Sequence, residues 1–301
     1  MKYLKLFESF NKEDIDSICR RYGIENYTIN EDGTISVSGG VNLALKSLIE
    51  FPLYFRNVSG DFNCNANQLK TLKGCPISVG GNFYCSNNQL TSLEGCPQSV
   101  GGSLQFDDNK LTSLKGAPQS VVHDFSCSRN RLTSLEYSPK SVGGAFYCST
   151  NQLTSLEGGP QSVDSSFLCN NNQLKSLKGC PELVYGYFQC HNNQLTSLEG
   201  GPKSVNITVG DFYCNNNKLT SLDGFPKSLK GYFYFYPNPC YKIYEEWIDT
   251  DRRDELLDMM KDYDFLRGDT INWYLLEAFF NDAGLSVPHR IWLEKYYTIE
   301  D

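Results

Sequence analysis

The stretch Phe83-Tyr84-Cys85-Ser86-Asn87-Asn88-Gln89-Leu90-Thr91-Ser92-Leu93-Glu94-Gly95-Cys96-Pro97-Gln98-Ser99-Val100-Gly101-Gly102 returns, lightly edited, from about residue 60 to residue 239. The leucine of its Asn-x-Leu falls at Leu69, Leu90, Leu111, Leu132, Leu153, Leu174 and Leu195, each 21 residues after the last. It falls again at Leu219, 24 residues on, because the stretch around Asn206-Ile207-Thr208-Val209 carries three extra residues. A fixed period in the twenties is the mark of a solenoid, in which each repeat buries its apolar face only by stacking on its neighbours.

Within one repeat, Phe83 and Cys85 are two apart, so they point to the same side of a short strand while Tyr84 points to the other. Stacked repeats then give a parallel sheet with the Phe and Cys columns inward. Asn88 recurs as Asn67, Asn109, Asn130, Asn151, Asn172, Asn193, Asn217 and Asn238. A buried amide at a fixed turn can satisfy main-chain groups that its own rung leaves open and bridge to the next. Leu90 and Leu93 pack beneath it, Val100 returns to the core, and Gly95, Pro97 and Gly101-Gly102 shape a return too short for a full helix.

The flanks differ from the array. Leu4, Phe7 and Phe10 lie at helical spacing, and a helix over about 12–22, burying Ile15, Ile18 and Tyr22, stops at Gly23. Thr34-Ile35-Ser36-Val37 reads as a strand after an Asp32-Gly33 turn. Residues 33–59 read as a divergent first rung, because terminal repeats are atypical. Beyond the ninth rung, periodicity predicts helices near 241–261, 270–282 and 288–296, burying Ile243, Leu256, Leu257, Met260, Leu275, Phe279, Ile291 and Leu293, with Pro288 in a first helical turn. The organisation is therefore an N-terminal helical cap over 1–32, a solenoid over 33–239 and an acidic helical C-terminal cap over 240–301.

Charge and cysteines narrow the function. The formal net charge is −8, and residues 240–301 alone hold 7 basic and 15 acidic residues. No segment is basic enough for a nucleic-acid or anionic-lipid surface. No apolar run reaches the roughly 18 residues of a membrane helix. Of the 12 cysteines, Cys64, Cys85, Cys127, Cys148, Cys169, Cys190 and Cys214 share one repeat position, where Phe106 and Phe235 also stand. A column that accepts phenylalanine is a packing position rather than a disulfide or metal ladder, so free thiols and a reducing, cytoplasmic setting are expected. Asp107-Asp108 with Asp124 lacks the loop pattern of a calcium site. The scattered His123, His191 and His289 assemble no catalytic set. No metal, no cofactor and no enzymatic activity are expected.

The rung Phe-x-Cys-x-x-Asn-x-Leu-x-Ser-Leu-x-Gly-x-Pro-x-Ser-Val resembles the leucine-rich repeat, above all the short bacterial type of about 21 residues found in secreted effectors. The resemblance implies an α/β repeat solenoid: a right-handed superhelix with a parallel concave sheet and helical caps at both ends. A narrower likeness is to leucine-rich repeat proteins of tailed bacteriophages and some bacteria, carried by Asp32-Gly33-Thr34, by Val58-Ser59-Gly60-Asp61-Phe62, and by Asn238-Pro239 with Ile243-Tyr244. That likeness implies cytoplasm of a bacterial host, or a virion. The start of the chain also looks like the leader of a phage head protein, cut after Leu6-Phe7-Glu8.

The outward strand positions make the candidate binding face. They include Tyr84, Gln105, Tyr147, Gln189, His191, Tyr213, Tyr232, Tyr234 and Tyr236, a mixture of rigid aromatic area and adaptable polar groups. The sober alternative is a solvated sheet kept polar for solubility. Two functional classes follow: a non-enzymatic scaffold for a protein partner, or a structural, virion-associated protein packaged through its leader.

Overall fold

A computed structural model describes residues 12–205, 210–248 and 250–301. The expected 1–10 helix, the leader Leu6-Phe7-Glu8 and the insertion around Asn206 lie outside these residues.

The inward alternation of each repeat builds a ten-stranded, wholly parallel sheet. Its strands run from Val41–Asn42 through Phe62–Asn63, Phe83–Tyr84 and Phe146–Tyr147 to Phe212–Tyr213 and Phe233–Tyr234, the inner ones hydrogen-bonded to the rungs on either side and the two end strands to one. Register is unbroken: Phe125 pairs with Phe146, Phe146 with Phe167, Phe167 with Phe188. The architecture is a short leucine-rich-repeat solenoid. Its first strand is contributed by Val41, inside the divergent segment 33–59, and Leu43, Leu48, Phe51 and Leu53 of that segment are buried.

A second parallel ladder accompanies the first. Ser-Val dipeptides such as Ser141–Val142 and Ser162–Val163 pair rung to rung just before the corner, which is Gly143-Gly144 in one rung and Asp164-Ser165 in the next. They join Tyr27–Ile29, Ile35–Val37 and Phe55–Val58 in a five-stranded sheet that ends at Ser99–Val100, and continue in a six-stranded sheet from Ser120–Val121 to Ser228–Leu229. The return is therefore partly strand, and each rung has two hydrogen-bonded sides.

Inside, the phenylalanines stack along the array, with ring centroids 5.6 Å apart for Phe125–Phe146 and 5.4 Å for Phe146–Phe167. The rung at 104–106 inverts its two inward residues. Leu104 takes the phenylalanine slot and Phe106 the cysteine slot, yet the ring of Phe106 still lies 5.7 Å from Phe83 and 6.1 Å from Phe125. The seven column cysteines are free and buried, and burial pushes the thiols of Cys127 and Cys148 up. Gly116, at φ +101°, shows why the return needs glycine: a Cβ there would sit 2.2 Å from the Leu93 carbonyl oxygen.

At the N-terminal end, α1 (Lys12–Tyr22) buries Ile15 and Cys19, with Ile18 and Tyr22 partly buried. Glu13 and Asp14 occupy its first turn, Arg20 and Arg21 its last, complementing the helix dipole. Tyr27–Ile29 then pairs antiparallel with Ile35–Val37, which seals the first edge of the second ladder.

The C-terminal segment departs from expectation in detail. In place of one helix over 241–261 stand α2 (Tyr241–Tyr244) and α3 (Arg253–Tyr263). The third helix, α4 (Trp273–Ala283), starts later than 270, because Thr270–Asn272 is a strand and the Asn272 side chain caps the helix by accepting the Leu275 amide. That strand pairs with Leu266–Arg267 and Thr298–Glu300 in a small sheet. The last helix shrinks to α5 (Arg290–Leu293), so Pro288 lies before its N-cap His289, and Ile291, expected in the core, is 68% exposed. Ile243, Leu256, Phe279 and Leu293 are buried as expected, while Leu257, Met260 and Leu275 are only partly so. Ile243, Tyr244, Trp247 and Ile248 join the solenoid core, and the Tyr297 hydroxyl donates to the Thr220 carbonyl at 2.6 Å. No helix among the described residues is long and apolar enough to cross a membrane.

Candidate functional site

Strand alternation turns Tyr84, Gln105, Tyr147, Gln189 and Tyr213 to the outward face of the ten-stranded sheet, where each is half-buried by its neighbours in the column. Tyr234 follows in the last rung and is exposed. His191 and Tyr236 belong to the next outward column, and Tyr232 to the corner that precedes the strand.

These residues do not form one cluster. Tyr84 and Tyr147 stand three rungs apart in mid-array. His191, Tyr213, Tyr232 and Tyr234 come together at the C-terminal end. The rings of Tyr213 and Tyr234 stack at 4.5 Å and 9°, His191 meets Tyr213 edge-on at 6.3 Å, and Tyr232 lies 6.2 Å from Tyr234. Tyr236 turns instead to Tyr241 of α2, 4.8 Å away. Tyr232 and Tyr236 are 68% and 66% exposed, so the end of the array shows aromatic surface to its surroundings. A cleft of about 530 Å³ opens there, lined by Tyr213, Asn215, Tyr234, Tyr236, Tyr241 and Glu245 along with Phe233 and Phe235.

Electrostatics fix the cluster further. The Tyr213 hydroxyl donates to Asp211 at 3.0 Å, and burial first, then this bond, pushes its pKa up to about 12. Asp211 also accepts the main-chain amide of Tyr232 at 2.9 Å, so one carboxylate joins two rungs and ties the Tyr213 ring to the main chain of the next. Burial lowers the pKa of His191, and its Nδ1 is enclosed with no hydrogen-bond partner among the described residues.

Two further columns of structural polar residues escaped the sequence reading. At the corner, Asp61, Asn82, Ser103, Asp124, Ser166 and Asp211 each accept the amide of the equivalent residue one rung on, as in Asn82 to Ser103 at 2.8 Å. Their signal was a small polar residue directly before the strand. The residue ahead of the ladder asparagine is left-handed in the eight rungs from Ala66 to Asn216, including Asn87, Asp108, Arg129 and Thr150, while Pro237 precedes Asn238 in the last. The preference for Asn or Asp at that position was its signal.

The three carboxylates considered for calcium are engaged elsewhere. Asp107 accepts from Ser126 and from the Ser128 amide, Asp108 pairs with Arg129 at 2.7 Å, and Asp124 accepts the Ala145 amide. Among the described residues no group of three His, Cys, Asp or Glu could hold a metal ion.

No family model matches the chain, and no curated protein matches it. Among solved structures it is similar to YopM from Yersinia enterocolitica WA-314, with 19% sequence identity and a TM-score of 0.42. The match covers 67% of this chain and spans 56% of that one.

Proposed function

We propose that this solenoid is a non-enzymatic scaffold that binds a protein partner through the outward face of its ten-stranded sheet, anchored at the C-terminal tyrosine cluster. The observation that carries the reading is the Tyr213–Tyr234 stack, flanked by exposed Tyr232 and Tyr236, on a rigid parallel sheet. Tyrosine supplies large contact area with few rotatable bonds, and interface hot spots are enriched in it. An extended array of rungs also offers a partner many contacts in one register, the usual way repeat proteins bind.

Gln105, Tyr147, Gln189 and Tyr84 give the same face a polar middle, suited to adaptable hydrogen bonds around the aromatic end. Affinity capture from source-organism lysate under reducing conditions, run in parallel with wild type and with Tyr84→Ser, Tyr147→Ser, Tyr213→Ser and Tyr234→Ser combined, tests the reading. A protein held in stoichiometric amount by wild type and lost from the folded variant supports it. Equal capture by both removes the sheet face as the binding surface.

A further inference from the structure

The cleft at the C-terminal end of the outward face is bounded by two fixed pairs of rings. Tyr213 and Tyr234 stack at 4.5 Å, and Tyr236 meets Tyr241 of α2 edge-on at 4.8 Å and 65°. Tyr241 also packs 5.0 Å from Phe235, which ties the helix side of the cleft to the core. That packing leaves Phe233 and Phe235 each 3% exposed, so the cleft offers side chains rather than a strand edge.

The chemistry of the lining selects a ligand by elimination. Glu245, the one charged residue in the lining, is paired with Lys242 at 2.7 Å, and that ammonium lies 5.6 Å over the Tyr241 ring. An anion or a cation therefore finds no uncompensated charge in the cleft. The Asn215 side chain and the hydroxyls of Tyr234 and Tyr236 line the same space and make no hydrogen bond among the described residues. Water serves these groups in the free protein. A purely apolar ligand strips that water and leaves them unpaired, which costs more than the contact returns. What fits is a neutral molecule with an apolar face and a rim of hydrogen-bonding groups.

We propose that the cleft binds a neutral oligosaccharide. A pyranose ring presents C–H bonds on one face, which pack against the electron-rich face of an aromatic ring. Its edge carries hydroxyls that both donate and accept. Tyr236, 66% exposed, supplies the open aromatic face. The Asn215 amide and the Tyr234 hydroxyl meet the sugar hydroxyls. The volume of about 530 Å³ falls within the range of about 300–1,000 Å³ typical of small-ligand sites. Because the ring pairs are already packed in the free protein, little side-chain freedom is lost on binding.

This site shares Tyr213 and Tyr234 with the partner-binding reading but does not rest on it, and the two fail separately because sugar binding is read on the purified chain with no partner present. The test is an NMR titration of the full chain with cellotetraose, maltotetraose, chitotetraose, mannotetraose and galactotetraose. At least one should bind with a Kd below about 1 mM, moving the Asn215 side-chain amide and the Tyr236 ring and leaving the Phe146 amide in place. Tyr236→Ala and Asn215→Ala should each weaken that tetrasaccharide at least about tenfold, as truncation of a central contact does. Gln152→Ala, on an exposed turn far from the cleft, should not. Tetragalacturonate, the acidic counterpart, should bind more weakly than the best neutral sugar. No neutral tetrasaccharide reaching about 1 mM overturns the proposal and leaves the sheet-face reading standing. Binding that both cleft variants retain, or tighter binding of tetragalacturonate or of an acetylated, amidated Ser-Thr-Ser-Thr peptide, overturns it as well.

Discussion

The side chain of Asn130 joins two rungs: its Oδ1 accepts the amide of Leu111 at 2.9 Å, while its Nδ2 donates to the carbonyls of Phe106, Cys127 and Ser128. The same arrangement recurs at Asn88, Asn109 and Asn151. Substituting Asn130→Ala strands the Leu111 amide in a dry interior, since Leu111 is wholly buried. Leaving buried groups unpaired costs about 1–3 kcal/mol each, so a loss of roughly 2–4 kcal/mol is expected in urea unfolding. Gln152→Ala, one residue past a ladder asparagine but exposed, should change stability by less than about 0.5 kcal/mol.

The inverted pair Leu104 and Phe106 offers a test of packing. Phe106→Cys breaks the ring column between Phe83 and Phe125 and should cost about 3 kcal/mol or more, as aromatic truncations do. Leu104→Phe alone crowds the same space. Combined, the two restore the pattern of the neighbouring rungs, and the double variant should recover most of the loss. A double-mutant cycle by chemical denaturation reads that coupling, and simple additivity would show that the two slots do not share volume.

Thr150 holds φ +57°, where most equivalent rungs place Asn or Asp. A β-branched residue is strained in the left-handed region by about 1–2 kcal/mol. Thr150→Asn is therefore expected to stabilise by about 1 kcal/mol and raise Tm by a few degrees. A lower Tm would mean that the threonine side chain contributes more than its backbone costs.

Asp107 makes the pH dependence unusual. Burial raises its pKa in the fold, although Ser126 and the Ser128 amide oppose the shift by bonding to the carboxylate. A carboxyl whose pKa is higher folded than unfolded binds more protons when folded, so it favours the fold at low pH and loses that advantage as pH climbs from the ordinary aspartate value through the raised one. Asp107→Asn keeps an oxygen to accept the Ser128 amide, as Asn65 does for Ser86 two rungs earlier in the column. The variant should be more stable than wild type at neutral pH, with the difference closing below about pH 4, the ordinary aspartate range. A gap that widened on acidification would reverse the assignment.

Much of this was legible because the repeat averages out local ambiguity. A single Phe-x-Cys is a weak strand signal, but the same spacing at Phe83, Phe125 and Phe146 fixes the inward face, and the asparagine column fixes the turn. The Ser-Val ladder was not legible, since a two-residue strand has no alternation to read. The C-terminal segment was legible only in outline. Thr270 and Ile271 are β-branched and begin a strand where helical spacing alone placed a helix, and Ile291 sits on a helix too short to bury it. The binding residues were readable as a column, but the gathering of His191, Tyr213, Tyr232 and Tyr234 depends on the corner carboxylate Asp211, whose role appears only when rungs are stacked.

Partner binding at the tyrosine end of the sheet face, as proposed, would rest on the stacked rings of Tyr213 and Tyr234. Calorimetric titration of the captured partner into wild type and into Tyr213→Ser with Tyr234→Ser tests that claim. Each ring is expected to contribute as a hot spot, so the double variant should bind about 30-fold more weakly or worse, roughly 2 kcal/mol, with its thermal unfolding little changed. An unchanged Kd in a folded double variant would contradict the claim.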